Sequence, residues 1–186
     1  LKVVISIYRN DYQFATPPLT PTLKAKADDG KVYLYWDDRS DKLTHNSFLG
    51  GINDFEGYKL YRGTDPHFTD AEILRDGNGD LAGKMPICQW DLKDTISGFA
   101  TYAGWNGLEY YLGSNNGIVH SYIDSNVQNG ITYYYALVAY NYGMKGTGTL
   151  GVSIPPTETN MTVDLDEYGK VKGLGPNVQV VPPHQR

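Results

Sequence analysis

Four histidines, one cysteine and 21 acidic side chains are the groups in this 186-residue sequence best suited to chemistry. His45, His67, His120 and His184 stand apart from one another, and none falls in a metal-ligand or nucleophile motif. The sequence has no Gly-x-Ser-x-Gly elbow, His-Glu-x-x-His pair or phosphate-binding glycine loop. His120 is followed by Ser121, with Asp124 close behind. A catalytic triad, however, is assembled across a fold rather than by adjacency in the chain. The expectation is a protein without enzymatic activity. Cys88 stands alone, so it can form neither a disulfide within the chain nor a multi-cysteine zinc site. It reads as a small buried apolar residue.

Calcium is the stronger chemical candidate. In "DGNGD", Asp76, Asn78 and Asp80 alternate as the first oxygen ligands of a calcium loop do. The helix–loop–helix pattern then breaks: Leu81 occupies the position that needs glycine, and Ile87 the position of the bidentate glutamate. A second acidic group is Asp37, Asp38 and Asp41 in "DDRSD", with Asp54 and Glu56 at the far end of the same loop. Both stretches read equally as solvated Asp/Gly turns. Trp90, Tyr102, Trp105, Tyr110 and Tyr111, set among glycines, offer a different chemistry. Flat rings on a glycine-rich loop could stack on sugar faces. The competing reading is a small aromatic core that fixes the loop to the body of the protein.

These residues must be positioned by β-structure. Tyrosine occurs 16 times against five phenylalanines, and 21 glycines and ten prolines supply turns. That balance suits pleated, half-buried strands better than helices. The net charge of −5 disfavours nucleic acid and anionic membranes as partners. No apolar run is long enough to span a bilayer as a helix.

Several strands are visible by alternation. Leu23, Ala25 and Ala27 alternate with Lys24, Lys26 and Asp28; "DDG" turns the chain, and Val32, Leu34 and Trp36 then alternate with Tyr33, Tyr35 and Asp37. "FEGYKLYRG" (55–63) is a further strand with Tyr58 and Leu60 on one face. A short piece around Ile73, and others at 86–92 and 108–112, punctuate a long insertion over 76–118. "HSYIDSNVQNGITYYYALVAYNYG" (120–143) reads as strand, turn and long strand, and "GTGTLGVSIPPTETN" as a final strand ended by Pro155 and Pro156. Five tyrosines fall between residues 129 and 143. In an extended strand, Tyr133, Tyr135, Leu137 and Ala139 share one face, and Tyr134, Ala136, Val138 and Tyr140 the other.

"PTLKAKADDGKVYLYWDD", "FEGYKLYRG" and "YIDSNVQNGITYYYALVAYNYG" together resemble the fibronectin type III domain, over roughly 17–160 apart from the insertions. The resemblance implies an Ig-like antiparallel β-sandwich. Trp36 would end its second strand, and Tyr133 would sit at its tyrosine corner, a hydroxyl tied back to the loop backbone. The chain also resembles segments of large secreted bacterial surface proteins, which implies an extracellular location.

The expected organisation is an N-terminal extension or linker over 1–16, a sandwich over 17–160 carrying the insertion, and a C-terminal linker over 161–186. The expected function is that of a non-catalytic module in a secreted or cell-surface protein, acting in structure, adhesion or assembly, as in a filament or surface layer. Its partners would be other protein domains or subunits reached through sheet edges and linkers. The alternatives are a carbohydrate-binding module using Trp90, Tyr102, Trp105 and Tyr110, or an accessory domain of a secreted hydrolase. Calcium is the one candidate cofactor.

Overall fold

The computed structural model describes residues 16–71, 73–75, 81–105, 108–146 and 153–185. The strands in chain order are β1 (Leu23–Asp28), β2 (Lys31–Trp36), β3 (Phe55–Gly63), β4 (Ile73–Arg75), β5 (Leu81–Lys84), β6 (Cys88–Asp91) and β7 (Gly98–Trp105). They continue with β8 (Leu108–Gly113), β9 (Ser121–Asp124), β10 (Tyr133–Asn141), β11 (Val163–Leu165), β12 (Val171–Leu174) and β13 (Val178–Val181). The fold is all-β and sandwich-like. One antiparallel sheet runs β1-β2-β9, and a second runs β13-β10-β3-β6.

The alternation in the sequence is what drives the two sheets together. β1 and β2 pair with Leu23 opposite Trp36 and Asp28 opposite Lys31, and Gly30 at φ +60° closes the turn between them. Val32, Leu34 and Trp36 point inward, where they meet Tyr58 and Leu60 of β3 and Tyr133, Tyr135 and Leu137 of β10. Trp36 is 6% exposed and Tyr133 7%. The Tyr133 hydroxyl accepts a bond from the backbone N–H of Gln128 at 3.0 Å, which ties the strand to the turn before it. An ionic tie joins the layers. Asp124 of β9 accepts from the Arg62 guanidinium of β3 at 2.8 Å and from the Tyr135 hydroxyl of β10 at 2.8 Å.

The second sheet is covered on its outer face as well, so β10 is buried almost throughout. Ala136, Val138 and Val178 pack with Tyr61 and Phe68 and with Met161 and Val163 near β11. Tyr140 packs with Ala100 of β7 and Tyr110 and Leu112 of β8. The β4–β5, β7–β8 and β11–β12 pairs are therefore hairpins laid around a seven-stranded body.

Two stretches differ from the sequence-based expectation, and a third lies largely outside the described residues. The loop over 37–54 contains a short helix, α1 (Arg39–Leu43), and a 3₁₀ turn at Ser47–Leu49. The strand expected over 146–154 falls largely outside the described residues, although Ile154 makes an isolated bridge with Met144. Two later pieces of the chain line the edge of β10 away from β3. Val178–Val181 pairs with Ala136–Tyr133, and Thr157 and Thr159 bond to Asn141 and Ala139 higher up the same edge. Asn177 joins the pieces by donating to the carbonyls of Leu137 and Asn160. Residues 161–186 are thus no linker: they hold a hairpin and the edge strand of the second sheet. The sequence hides β13 because its four residues are a short run set between Pro176 and Pro182.

β1 and β13 run in the same direction. The Leu23 N–H donates to Pro176 O at one end of the sandwich. At the other, Gly30 N donates to Asn129 Oδ1 and Gly130 N to Pro183 O. The opposite edge of the second sheet, β6, is closed by a side chain. The Asn116 amide donates to Gln89 O at 2.7 Å and accepts from Asp91 N at 3.0 Å, as the backbone of a neighbouring strand would. Asp91 in turn accepts from the N–H groups of Asn115 and Asn116.

Candidate functional site

The outer face of β3 carries Lys59 between Gly57 and Tyr61, in register with Val138 of β10 and Gln89 of β6. The two hairpins that follow β3 stand on either side of this face and leave a groove of about 670 Å³ between them. That volume lies within the roughly 300–1,000 Å³ usual for ligand clefts. Its walls are mostly apolar: Leu74, Met85, Pro86 and Ile87 on one side, Phe99 and Tyr111 on the other. Phe99 is 58% exposed, and its ring centroid lies 5.0 Å from that of Tyr111. The Gln89 side chain fixes the groove's position by donating to Tyr111 O and to the Tyr140 hydroxyl.

Lys59 lies at the base of this groove and is 8% exposed. Its ammonium stands 3.6 Å above the Tyr110 ring and 5.1 Å from the Tyr140 ring. The Glu158 carboxylate is 3.8 Å away and accepts a hydrogen bond from the Tyr110 hydroxyl at 2.8 Å. Burial pulls the Lys59 pKa down to about 8, against the opposing pull of Glu158. Burial likewise raises the Tyr110 hydroxyl well above its ordinary value. The rim carries one charge of each sign, Lys84 and Glu109, and the Lys84 ammonium donates to His67 O. Cys88 also borders the groove, with its thiol pKa raised by burial and therefore protonated near neutrality. The arrangement can hold a ligand by apolar contact and one buried donor group.

The residues singled out in the sequence are placed differently. Trp90 packs into the main core, 5.3 Å from Trp36 and 5.5 Å from Tyr122 by ring centroids. Tyr110 is 4% exposed. Tyr110 is thus buried, and the half-buried Trp90 ring is packed on Trp36 and Tyr122. Of Tyr102 and Trp105 only the backbone, in β7, is described. Of the aromatics read from the sequence, Tyr111 faces solvent, beside Phe99, which the sequence did not single out.

Asp76, Asn78 and Asp80 lie outside the described residues. Asp37, Asp38 and Asp41 do not converge on a shared centre. Asp37 accepts from Thr22 N, and its other oxygen lies 3.7 Å from Arg39. Asp38 starts α1, its carbonyl taking the Lys42 N–H. Asp41 accepts from the Tyr58 hydroxyl at 2.8 Å and lies 3.0 Å from His120 Nε2. Among the described residues no three His, Cys, Asp or Glu side chains are placed to hold a metal ion.

The remaining two acids of that region serve the interior. Asp54 accepts from Asn46 and Asn141, which links the 37–54 loop to β10. Glu56 is the extra residue where the β3–β10 register shifts, and it is fully buried. Among the described residues, neither of its carboxylate oxygens has a hydrogen-bond partner. Desolvation, then the nearby charges of Asp94 and Asp91, push its pKa up to about 8.

The groove itself escaped the sequence reading. The alternation of "GYKLYRG" does set Lys59 on the face opposite Tyr58 and Leu60, but only the packing of two hairpins shows what surrounds it. Comparison of the chain with protein-family models, with curated proteins and with solved structures found no match.

Proposed function

We propose that this chain is a non-catalytic recognition and assembly module of a larger extracellular protein. A fibronectin type III-like sandwich serves as its scaffold, and the groove between the hairpins as its contact surface. The three-plus-four strand order, the sealed Trp36 and the Tyr133 bond to the preceding turn support the scaffold reading. The observation that carries the function is the groove. Its exposed Phe99 and Tyr111 sit on the β7–β8 hairpin, which lies outside the two main sheets. Apolar side chains displayed together in a cleft are the usual mark of a binding surface. The partner is another protein domain or subunit.

The test is site-specific photo-crosslinking in the protein's native setting. A benzoylphenylalanine replaces Phe99 in one variant and Tyr168, 80% exposed beyond β11, in another. A discrete protein adduct from position 99 and none from position 168 is the expected result. Absence of an adduct at 99, or equal labelling from both positions, refutes the reading.

A further inference from the structure

Of the four outer strands of the two main sheets, three have their edges closed. β1 and β13 lie against each other, tied by the bond from Leu23 to Pro176, and the Asn116 side chain caps β6. The fourth is β9. Trp36 N donates to His120 O, and the register carries that pairing on to Leu34 with Tyr122 and Val32 with Asp124. Hydrogen-bonded pairs alternate along an antiparallel ladder, so the backbone N–H and C=O groups of Ser121 and Ile123 point away from β2. Among the described residues these groups have no partner.

Sheet edges are usually blunted by lysine, proline or a bulge. β9 has none of these. Its outward side chains are Ser121 and Ile123, and Ile123 is 54% exposed. Tyr35 of β2, opposite Ser121, extends this strip and is 48% exposed. On the inner side, Tyr122 is half-buried against Trp90 of β6. A row of open backbone donors and acceptors with apolar side chains on both faces fits one kind of ligand, the edge of another extended chain.

β9 is itself such an edge, and it matches its own copy. In an antiparallel pair about a twofold axis at Tyr122, Ser121 faces the partner's Ile123 and exchanges both backbone bonds with it. The axis repeats this pair, so every open group of both strands is satisfied at once. No two acids meet: His120 falls opposite the partner's Asp124, and Val119 opposite the partner's Ser125. Tyr122 meets its own copy on the inner side, where directly opposed aromatic rings strengthen strand pairing.

We propose that the β9 edge is a self-association surface, through which two copies of the chain join their three-stranded sheets into one six-stranded sheet. The contact uses none of the residues that line the groove between the hairpins, and it stands independently of the recognition reading above.

The experiment is sedimentation equilibrium on the purified chain. The average mass rises from that of one chain toward that of two as concentration increases. Ile123→Lys, at an exposed position, weakens association about tenfold, because two lysines then crowd one short interface. Phe99→Ser, in the groove, leaves association unchanged. Crosslinking reads the register, with Cys88→Ala as the background. A mixture of Ser121→Cys and Ile123→Cys chains gives a disulfide-linked heterodimer under mild oxidation, since the opposed Cα atoms stand about 5.5 Å apart. Either variant alone sets its two cysteines two residues out of line, beyond disulfide reach, and gives no such product.

A chain that stays monomeric at millimolar concentration overturns the proposal and leaves the edge to a strand of another protein. So does an Ile123→Lys chain that associates as tightly as the wild type, or association lost in Phe99→Ser instead. Crosslinking of a single variant as fast as of the mixture overturns it too. Urea unfolding checks that Ile123→Lys is folded; where it is not, the heterodimer test decides alone.

Discussion

Replacing Glu56 with glutamine is expected to make the protein more stable, and more so as the pH rises. The carboxyl is fully buried without a hydrogen-bond partner among the described residues, and its folded pKa is about 8 against a reference of 4.5. A raised folded pKa means that the group's full contribution to stability is present below pH 4.5 and is lost as pH climbs through about 8. Across that interval the unfolded chain gives up the proton while the folded chain keeps it. The span is about 3.5 pH units, each worth about 1.4 kcal/mol, so the wild type loses about 5 kcal/mol overall and about 3 kcal/mol by pH 7 from this group. Glutamine keeps the shape and carries no proton to lose. Urea unfolding of both proteins at pH 5, 6, 7 and 8 measures the effect, with equal m-values as the check that one transition is being compared. Asp54 is also raised by burial and tilts both curves alike, so the difference between them isolates Glu56. Wild-type and variant curves that run parallel over this range would falsify the argument.

Three further expectations concern the scaffold. Asn116→Ala removes two bonds from the β6 edge, costing about 1–2 kcal/mol in urea unfolding, and raises light scattering on warming as the edge is bared. Asp124→Ala strips the Tyr135 hydroxyl of its acceptor and leaves Arg62 only its bond to Asn126 O, and costs about 3 kcal/mol by the same assay. Gly57→Ala drives a methyl group into the Trp90 carbonyl and the Tyr140 ring and costs about 3 kcal/mol, while Gly83→Ala, whose methyl meets open space, stays within about 1 kcal/mol of wild type.

The parts of this fold that alternation controls were legible in the chain. Val32, Leu34 and Trp36, and Tyr133 with Tyr135, announce their buried faces at period two, and the structure buries them. Alternation also assigns Tyr140 to the other face of β10 but not its depth: it is fully buried because the β7–β8 hairpin folds over it. Such long-range covering leaves no periodic trace. The same limit explains the misplaced aromatics. Trp90 and Phe99 both sit among small and polar residues in sequence, and only β6's place in the second sheet turns Trp90 inward while Phe99 stays in water. Asp37, Asp38 and Asp41 looked like a cluster because they are neighbours in the chain. A helical turn sends them to three different partners.

The parallel run of β1 and β13 has a mechanical meaning. Tension applied at Leu23 and at Val181 would pull from opposite poles of the body, because β1 enters beside Pro176 and β13 leaves beside Gly130. Such a pull slides the two segments past each other, so their contacts must give way together rather than peel one by one. Resistance to stretching is set by the rate of that single rupture, not by overall folding energy. The contact between β1 and β13 would then govern how the body answers a sudden load.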